Sequence, residues 1–251
     1  MQAYRSKIDR NASVAAIVSE DYRAADVFRK YDIEYCCGGK YPLTIACQMK
    51  GVDEEAVIRE LEYALRDSNT SHTLNFNDWH IDFLTDFIVN VHHTYLRTAL
   101  PRLKDYVDRF SEGHRKKFTY LDELQLVVSQ LHRSFIPHLK EEEEIIFPYI
   151  KQIGHAYYNR EPYASLLVRT LRKPVEDIMK HEHDTTGRSI QRLRELTNHY
   201  TAPENACLSH KVTFHKLKEV DADISQHLHL ENNILFPKAI AMEKELLQHK
   251  E

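Results

Sequence analysis

The chain has 251 residues, 42% hydrophobic and 29% charged, the composition of a folded protein with a buried core, which excludes global disorder. Six glycines, with no glycine-rich phosphate loop, argue against dinucleotide-binding and P-loop folds. A net charge of −4 leaves no basic footprint, so nucleic acid is not expected as the main partner.

Met1 to Arg10 is polar and lacks the apolar stretch of a signal peptide, and no run of 18 apolar residues occurs. A cytoplasmic protein without membrane contact is expected. Residues 1–70 read as a small helical domain. Asn11-Ala12-Ser13 offers caps for a helix from Val14, and Asp21 for one over 22–31. Cys36-Cys37-Gly38-Gly39 then breaks the pattern. Four cysteines are too few for a disulfide scaffold, and a ring between adjacent cysteines is strained. Cys36 and Cys37 therefore suit an exposed thiol pair that binds metal or exchanges protons and electrons. Pro42 stands ahead of a helix over 45–50 that Gly51 ends. Asp53-Glu54-Glu55 opens a helix with Val57, Ile58, Leu61 and Leu65 on one stripe. The polar run 67–75 marks a domain boundary.

Residues 76–251 read as four long helices. Ile81, Leu84, Ile88, Val91 and Tyr95 form one stripe, and Pro101 should bend this first helix. Ser111 to His114 looks like a hairpin tip. The second helix is expected over 115–151 with Gly154 at its exit, and the third over 164–198. The fourth follows Thr201-Ala202-Pro203-Glu204, with the proline in its first turn. Short connections between helices of this length predict an all-α, up-down-up-down four-helix bundle.

Sixteen histidines are the unusual feature of the composition, and an internal repeat organises them. His138-Leu-Lys-Glu-Glu142-Glu-Glu-Ile-Ile-Phe-Pro148 aligns without a gap on His227-Leu-His-Leu-Glu231-Asn-Asn-Ile-Leu-Phe-Pro237, with six of eleven positions identical. A histidine four residues before a glutamate puts both side chains on one helix face, and imidazole with carboxylate ligates iron, manganese or zinc. The repeat extends upstream: His93 precedes His138 by 45 residues, and His183 precedes His227 by 44. At ~1.5 Å per residue the helix out and the helix back bring each pair to one height. Adjacent residues point ~100° apart on a helix, so only one of His92 and His93 faces the centre, and the 45/44 match selects His93.

Four histidines and two bridging carboxylates supply eight bonds. An oxo or hydroxo bridge counted at each metal brings two metals to five-coordination, each with one open position. Six side chains are too many for a single closed zinc site, and the Glu-x-x-His of ferritin-type centres is absent from the sequence. The set His93, His138, Glu142, His183, His227 and Glu231 suits two irons open to small ligands such as oxygen or nitric oxide.

His93, His138-x3-Glu142, His183-Asp184 and His227-x3-Glu231-Asn-Asn resemble the hemerythrin-like di-iron domain of the iron–sulfur cluster repair family. Asp32-x3-Cys36-Cys37-Gly38-Gly39 resembles that family's short N-terminal domain. The likeness runs over residues 8–245, and only Pro137, just before His138, departs from what helix continuity prefers; a local kink is expected there. It implies a di-iron protein that repairs, or supplies iron to, iron–sulfur clusters damaged by nitrosative or oxidative stress. Its partners would be damaged or apo iron–sulfur proteins, with Cys36 and Cys37 passing iron on. A domain of ~65 residues is hard to stabilise alone, so docking on its own bundle or on a second chain is expected, the latter giving a homodimer. The residues leave two other functions open: a nitric-oxide reductase or peroxide-consuming enzyme, and a module that senses or carries oxygen or nitric oxide.

Overall fold

The structure, a computed structural model, describes residues 8–21, 23–35, 39–65, 76–171 and 175–248; of 170–171 and 175–184 it describes the backbone alone. Two compact units divide the chain: 1–72 with 202–215, and 73–201 with 216–251. The expected boundary at 67–75 lies mostly outside the described residues.

In the first unit the local rules mostly hold. The Ser13 hydroxyl accepts the Ala16 N–H at 3.1 Å and starts α1 (Val14–Glu20), which buries Val14, Ile17 and Val18. Asp21 accepts the Arg23 N–H at 3.0 Å, and α2 (Ala24–Lys30) follows, shorter than the expected 22–31. After Pro42 comes α3 (Leu43–Lys50), closed by Gly51 at a left-handed φ of 64°. Asp53 caps α4 (Glu54–Ala64), whose Val57, Ile58 and Leu61 are buried as the stripe predicts. α4 packs against α2 and α3. The Ala15 N–H donates to the Gly39 carbonyl at 2.9 Å, tying the segment after the cysteine pair to α1.

The second unit begins with a 3-10 turn at Phe76–Asp78 and α5 (Ile81–Phe87). Five elements follow up to residue 158. A π-helical turn over Ile88–His93 leads into α6 (Thr94–His114), and α7 (Leu121–Glu141) returns. A second π turn, Glu142–Ile146, then leads into α8 (Phe147–Tyr158). Beyond it lie α9 (Ala164–Leu171), α10 (Val175–Leu196) and, from Lys216 onward, the rest of α11 (Leu208–Leu230). A third π turn, Glu231–Leu235, and α12 (Phe236–Gln248) complete the unit. The described residues form no strand, and the protein is all-α as expected. α7 packs on α6 and α10, and α8 packs on α5, α9 and α12. Ile81, Leu84, Ile88, Ile150, Ile153 and Leu235 lie at the centre of the apolar core.

Several boundaries move. The hairpin tip falls at 115–120 because α6 continues through Gly113, and both Pro101 and Pro137 lie inside helices that run unbroken past them. Pro203 sits in a turn whose Ala206 N–H bonds its carbonyl at 2.9 Å, so α11 starts only at Leu208. Gly154 is no exit. It lies within α8, where α5 comes so close that a Cβ would strike the Ile81 side chain, itself fully buried. Asn198, His199 and Tyr200 all take left-handed φ values of 47°, 53° and 61°, a strained run for non-glycine residues. Tyr200 is held there by its hydroxyl, which donates to Asp221 at 2.8 Å, beside Arg194 Nε at 2.6 Å from the same carboxylate oxygen. Burial pushes the Asp221 carboxyl up, but the hydrogen bonds from Arg194, Tyr200 and Ser225 outweigh it and hold it below the usual carboxylate range.

Two outcomes follow from this packing. Gly154→Ala should cost about 1–3 kcal/mol, read as a lower urea midpoint, since Ile81 has no room to give; an unchanged midpoint would mean the α5–α8 approach is loose. Asp221→Asn should lower stability at neutral pH by about 1–2 kcal/mol, the 35% exposure of Arg194 tempering the loss. The carboxylate's contribution is whole above about pH 4 and fades as pH falls through its depressed pKa, so parent and variant should converge in acid. Equal melting temperatures at pH 7 would contradict this.

Candidate metal centre

The repeat reappears in the backbone. Glu142 and Glu231 each open a π turn, and in each the N–H of the phenylalanine five residues on donates to that glutamate's carbonyl. The following proline explains the turn. Pro148 and Pro237 have no N–H to donate, and a proline ring in a regular helix crowds the carbonyl four residues back. Widening the helix by one residue relieves that crowding and re-aims the side chains; π turns commonly occur at functional positions.

The π turn at Ile88–His93 does the same for the first helix. The buried stripe Ile81, Leu84, Ile88 does not continue to Val91, which is 44% exposed, but shifts to His92, His93, Leu96 and Leu100. One extra residue in the helical circuit moves the register by about 100°. Both histidines are therefore buried, at 2% and 0%.

His93, Glu142, His227 and Glu231, all buried, bring one donor atom each to within 4.8 Å of one another. The Nε2 atoms of His93 and His227 lie 3.0 Å apart. Glu142 Oε2 faces both, at 3.4 and 3.7 Å, while its Oε1 faces His138 Nε2 at 3.1 Å. Glu231 Oε1 lies 3.2 Å from His227 Nε2. Five of the six sequence-derived ligands thus converge. The sixth, His183, is in α10, and its side chain lies outside the described residues, as do Cys36 and Cys37.

The donor chemistry fits iron. Two fully buried carboxylates are costly to ionise unless cations meet them, and two imidazole nitrogens facing each other in a dry interior cannot both donate hydrogen. A cation among these atoms would resolve both problems, and a mixed imidazole–carboxylate set suits iron.

The surroundings include groups that spacing does not reveal. Phe147, of the repeated Phe-Pro pair, stacks on His93 at 5.4 Å between centroids, so it packs on a donor ring as well as in the core. Phe135 packs against both His138 and His227, at 5.3 and 5.6 Å. Its place three residues before His138, on the same helix face, is a usable signal. His92 turns aside: its Nδ1 meets Asp223 at 3.2 Å, and its ring centroid is 6.2 Å from that of His227. The Glu143 carboxylate lies between His93 Nδ1, at 2.8 Å, and the Arg97 guanidinium, at 2.5 Å. Burial pushes Glu143 up, but its hydrogen bonds from Arg97 and His93 prevail and hold it below the usual carboxylate range.

Comparison with known proteins covers both parts of the chain. A family model described as the hemerythrin HHE cation-binding domain matches residues 86–239, and one described as a domain of unknown function, ScdA_N, matches residues 10–65. The iron–sulfur cluster repair protein ScdA of Staphylococcus haemolyticus is 30% identical over 231 residues, 92% of this chain and 99% of the relative. The iron–sulfur cluster repair protein YtfE of Citrobacter koseri is 32% identical over 224 residues, 88% of this chain and 93% of the relative. YtfE of Escherichia coli is 31% identical over the same shares.

Glu142→Ala should lose bound iron almost completely, because its two oxygens face three imidazoles, and His93→Ala should weaken binding, whereas His92→Gln should leave the iron content of the purified protein near that of the parent. Iron loss in His92→Gln with retention in His93→Ala would place the first helix one register away.

Proposed function

Because the chain belongs to the iron–sulfur cluster repair family with a hemerythrin-like domain, we propose that it repairs damaged iron–sulfur clusters with iron held by His93, His138, Glu142, His183, His227 and Glu231. Two irons, linked by an oxo or hydroxo bridge, satisfy the donor count. The observation that carries the reading is Glu142, fully buried, with one oxygen toward His93 and His227 and the other toward His138. Such a carboxylate serves two positions at once.

Once reduced by an external one-electron donor, bound iron would supply a ferrous ion as cargo and a position open to small ligands such as nitric oxide or oxygen. The protein's own part is to hold that iron in a dry pocket with few donors. Phe135 and Phe147 wall the imidazoles, which keeps water from competing for the nitrogens. Cys36 and Cys37, thiols in the ScdA_N region, are suited to receive iron from the centre and present it to an apo iron–sulfur protein. That route supports a partner that is itself an iron–sulfur protein. Among the described residues no helix is long and apolar enough to cross a membrane.

The purified protein should contain two irons per chain, absorb in the near ultraviolet as oxo-bridged ferric pairs do and, with a reductant and sulfide added, restore activity to an apo iron–sulfur protein. Replacing Cys36 and Cys37 by alanine should leave iron content and spectrum unchanged while slowing the transfer. A single zinc after growth in iron-rich medium would overturn the di-iron reading. Turnover of nitric oxide to nitrous oxide with no iron transfer would favour the reductase function.

A further inference from the structure

The Glu143 carboxylate is held from two sides by residues one helical turn apart. His93, at the end of the first π turn, and Arg97, in α6, stand four positions apart, so their side chains share a face. Glu143, from the π turn that opens at Glu142, enters between them. Its Oε1 accepts the His93 Nδ1–H at 2.8 Å and lies 2.5 Å from an Arg97 guanidinium nitrogen. The His93 side chain is fully buried, that of Glu143 is 24% exposed and that of Arg97 41%. The three residues form a line from the surface to the centre.

Two consequences follow for His93. Its tautomer is fixed: the proton stays on Nδ1, and the lone pair is on Nε2, the atom 3.0 Å from His227 Nε2 and 3.4 Å from Glu142 Oε2. That nitrogen is the one a metal takes. The carboxylate also draws on the Nδ1 proton, and the imidazole gains anionic character that Nε2 presents to the metal. Such a ligand favours ferric over ferrous iron, because the attraction of a negative charge grows with the charge of the metal and a dry interior screens it little. The Arg97 cation draws on the same oxygen from the other side and limits the effect.

We propose that Glu143, shared between His93 and Arg97, lowers the reduction potential of iron held by His93, so that the centre retains ferric iron and gives it up only after a one-electron donor has reduced it. Glu143 is a positioning residue that acts through His93. The proposal deepens the repair reading and rests on it, because it says what triggers release. In the reduction ferric iron gains one electron and the donor loses one; the Nδ1 proton stays on His93 in both states.

The test uses the full chain, loaded with iron and titrated electrochemically while the near-ultraviolet absorption of the ferric form is followed. Glu143→Gln keeps an acceptor for the Nδ1–H and removes the charge. Ferric affinity should fall about ten- to a hundredfold relative to ferrous, and at least one midpoint should rise by about 59 mV for each factor of ten. Arg97→Gln keeps the carboxylate and removes the cation that shares it, so a midpoint should fall. This variant decides the matter if Glu143→Gln does not fold or hold iron. A structural disturbance alone would move both variants in one direction. Opposite shifts therefore support the proposal, whereas unchanged midpoints, or shifts of one sign in both, overturn it. A rise in Glu143→Gln with no shift in Arg97→Gln would support the part of Glu143 and overturn that of Arg97. Opposite shifts in a protein that hands no iron to an apo iron–sulfur protein would support the setting of the potential and overturn the repair reading. Intact transfer with unchanged midpoints would overturn the proposal alone.

Discussion

Everything around the centre answers to one constraint: two carboxylates, Glu142 and Glu231, lie wholly out of water. Removing a carboxylate from water costs several kcal/mol even after the protein relaxes, so it is sustained only by close positive partners with good geometry. Imidazoles at 3.1–3.7 Å begin to meet that demand, and the aromatic wall keeps the demand high by excluding solvent. A site of this kind is stable when occupied and poised to change when it is not.

The backbone meets the constraint with π turns. A regular α-helix presents one stripe, and the stripe needed to build the core is not the one needed to aim donors. In the first helix Ile81, Leu84 and Ile88 face the core while His92, Leu96 and Leu100 continue on a shifted register. Glu142 and Glu231 stand at the first residue of their π turns, where the helix widens. Prolines six residues further on hold each widening in place, because neither can restore the regular hydrogen bond.

Much of this was legible in the sequence, and the exceptions share a cause. The His-x3-Glu repeat, the caps at Ser13 and Asp53 and the buried faces of α1 and α4 depend on neighbours within four residues, which spacing reports directly. The failures lie where periodicity assumes an undisturbed helix. A count of 3.6 residues per turn puts Val91 and Tyr95 on the buried stripe, but the π turn at Ile88–His93 makes that count wrong by one, leaving Val91 exposed and Tyr95 half-buried. Gly154 reads as a stop by composition, but its meaning comes from Ile81, seventy-three positions away in the chain. Glu143 and Arg97 likewise belong to two helices, and nothing in either segment alone announces that they meet at His93.

The chain separation of the donors has a consequence for the order of assembly. α6 and α7 are neighbours in sequence and in space, so their hairpin forms from contacts of short range, which in helical proteins are quick to make. His93 and Glu231, by contrast, are 138 positions apart. The pocket comes into being only when the segment carrying His227 and Glu231 has packed against the first hairpin, after most of the loop entropy has been surrendered. A metal ion arriving early finds His93, His138 and Glu142 of the first hairpin, an incomplete set of donors without His227 and Glu231. Loading is therefore a late event, a capture by an already assembled bundle rather than a seed around which the bundle condenses.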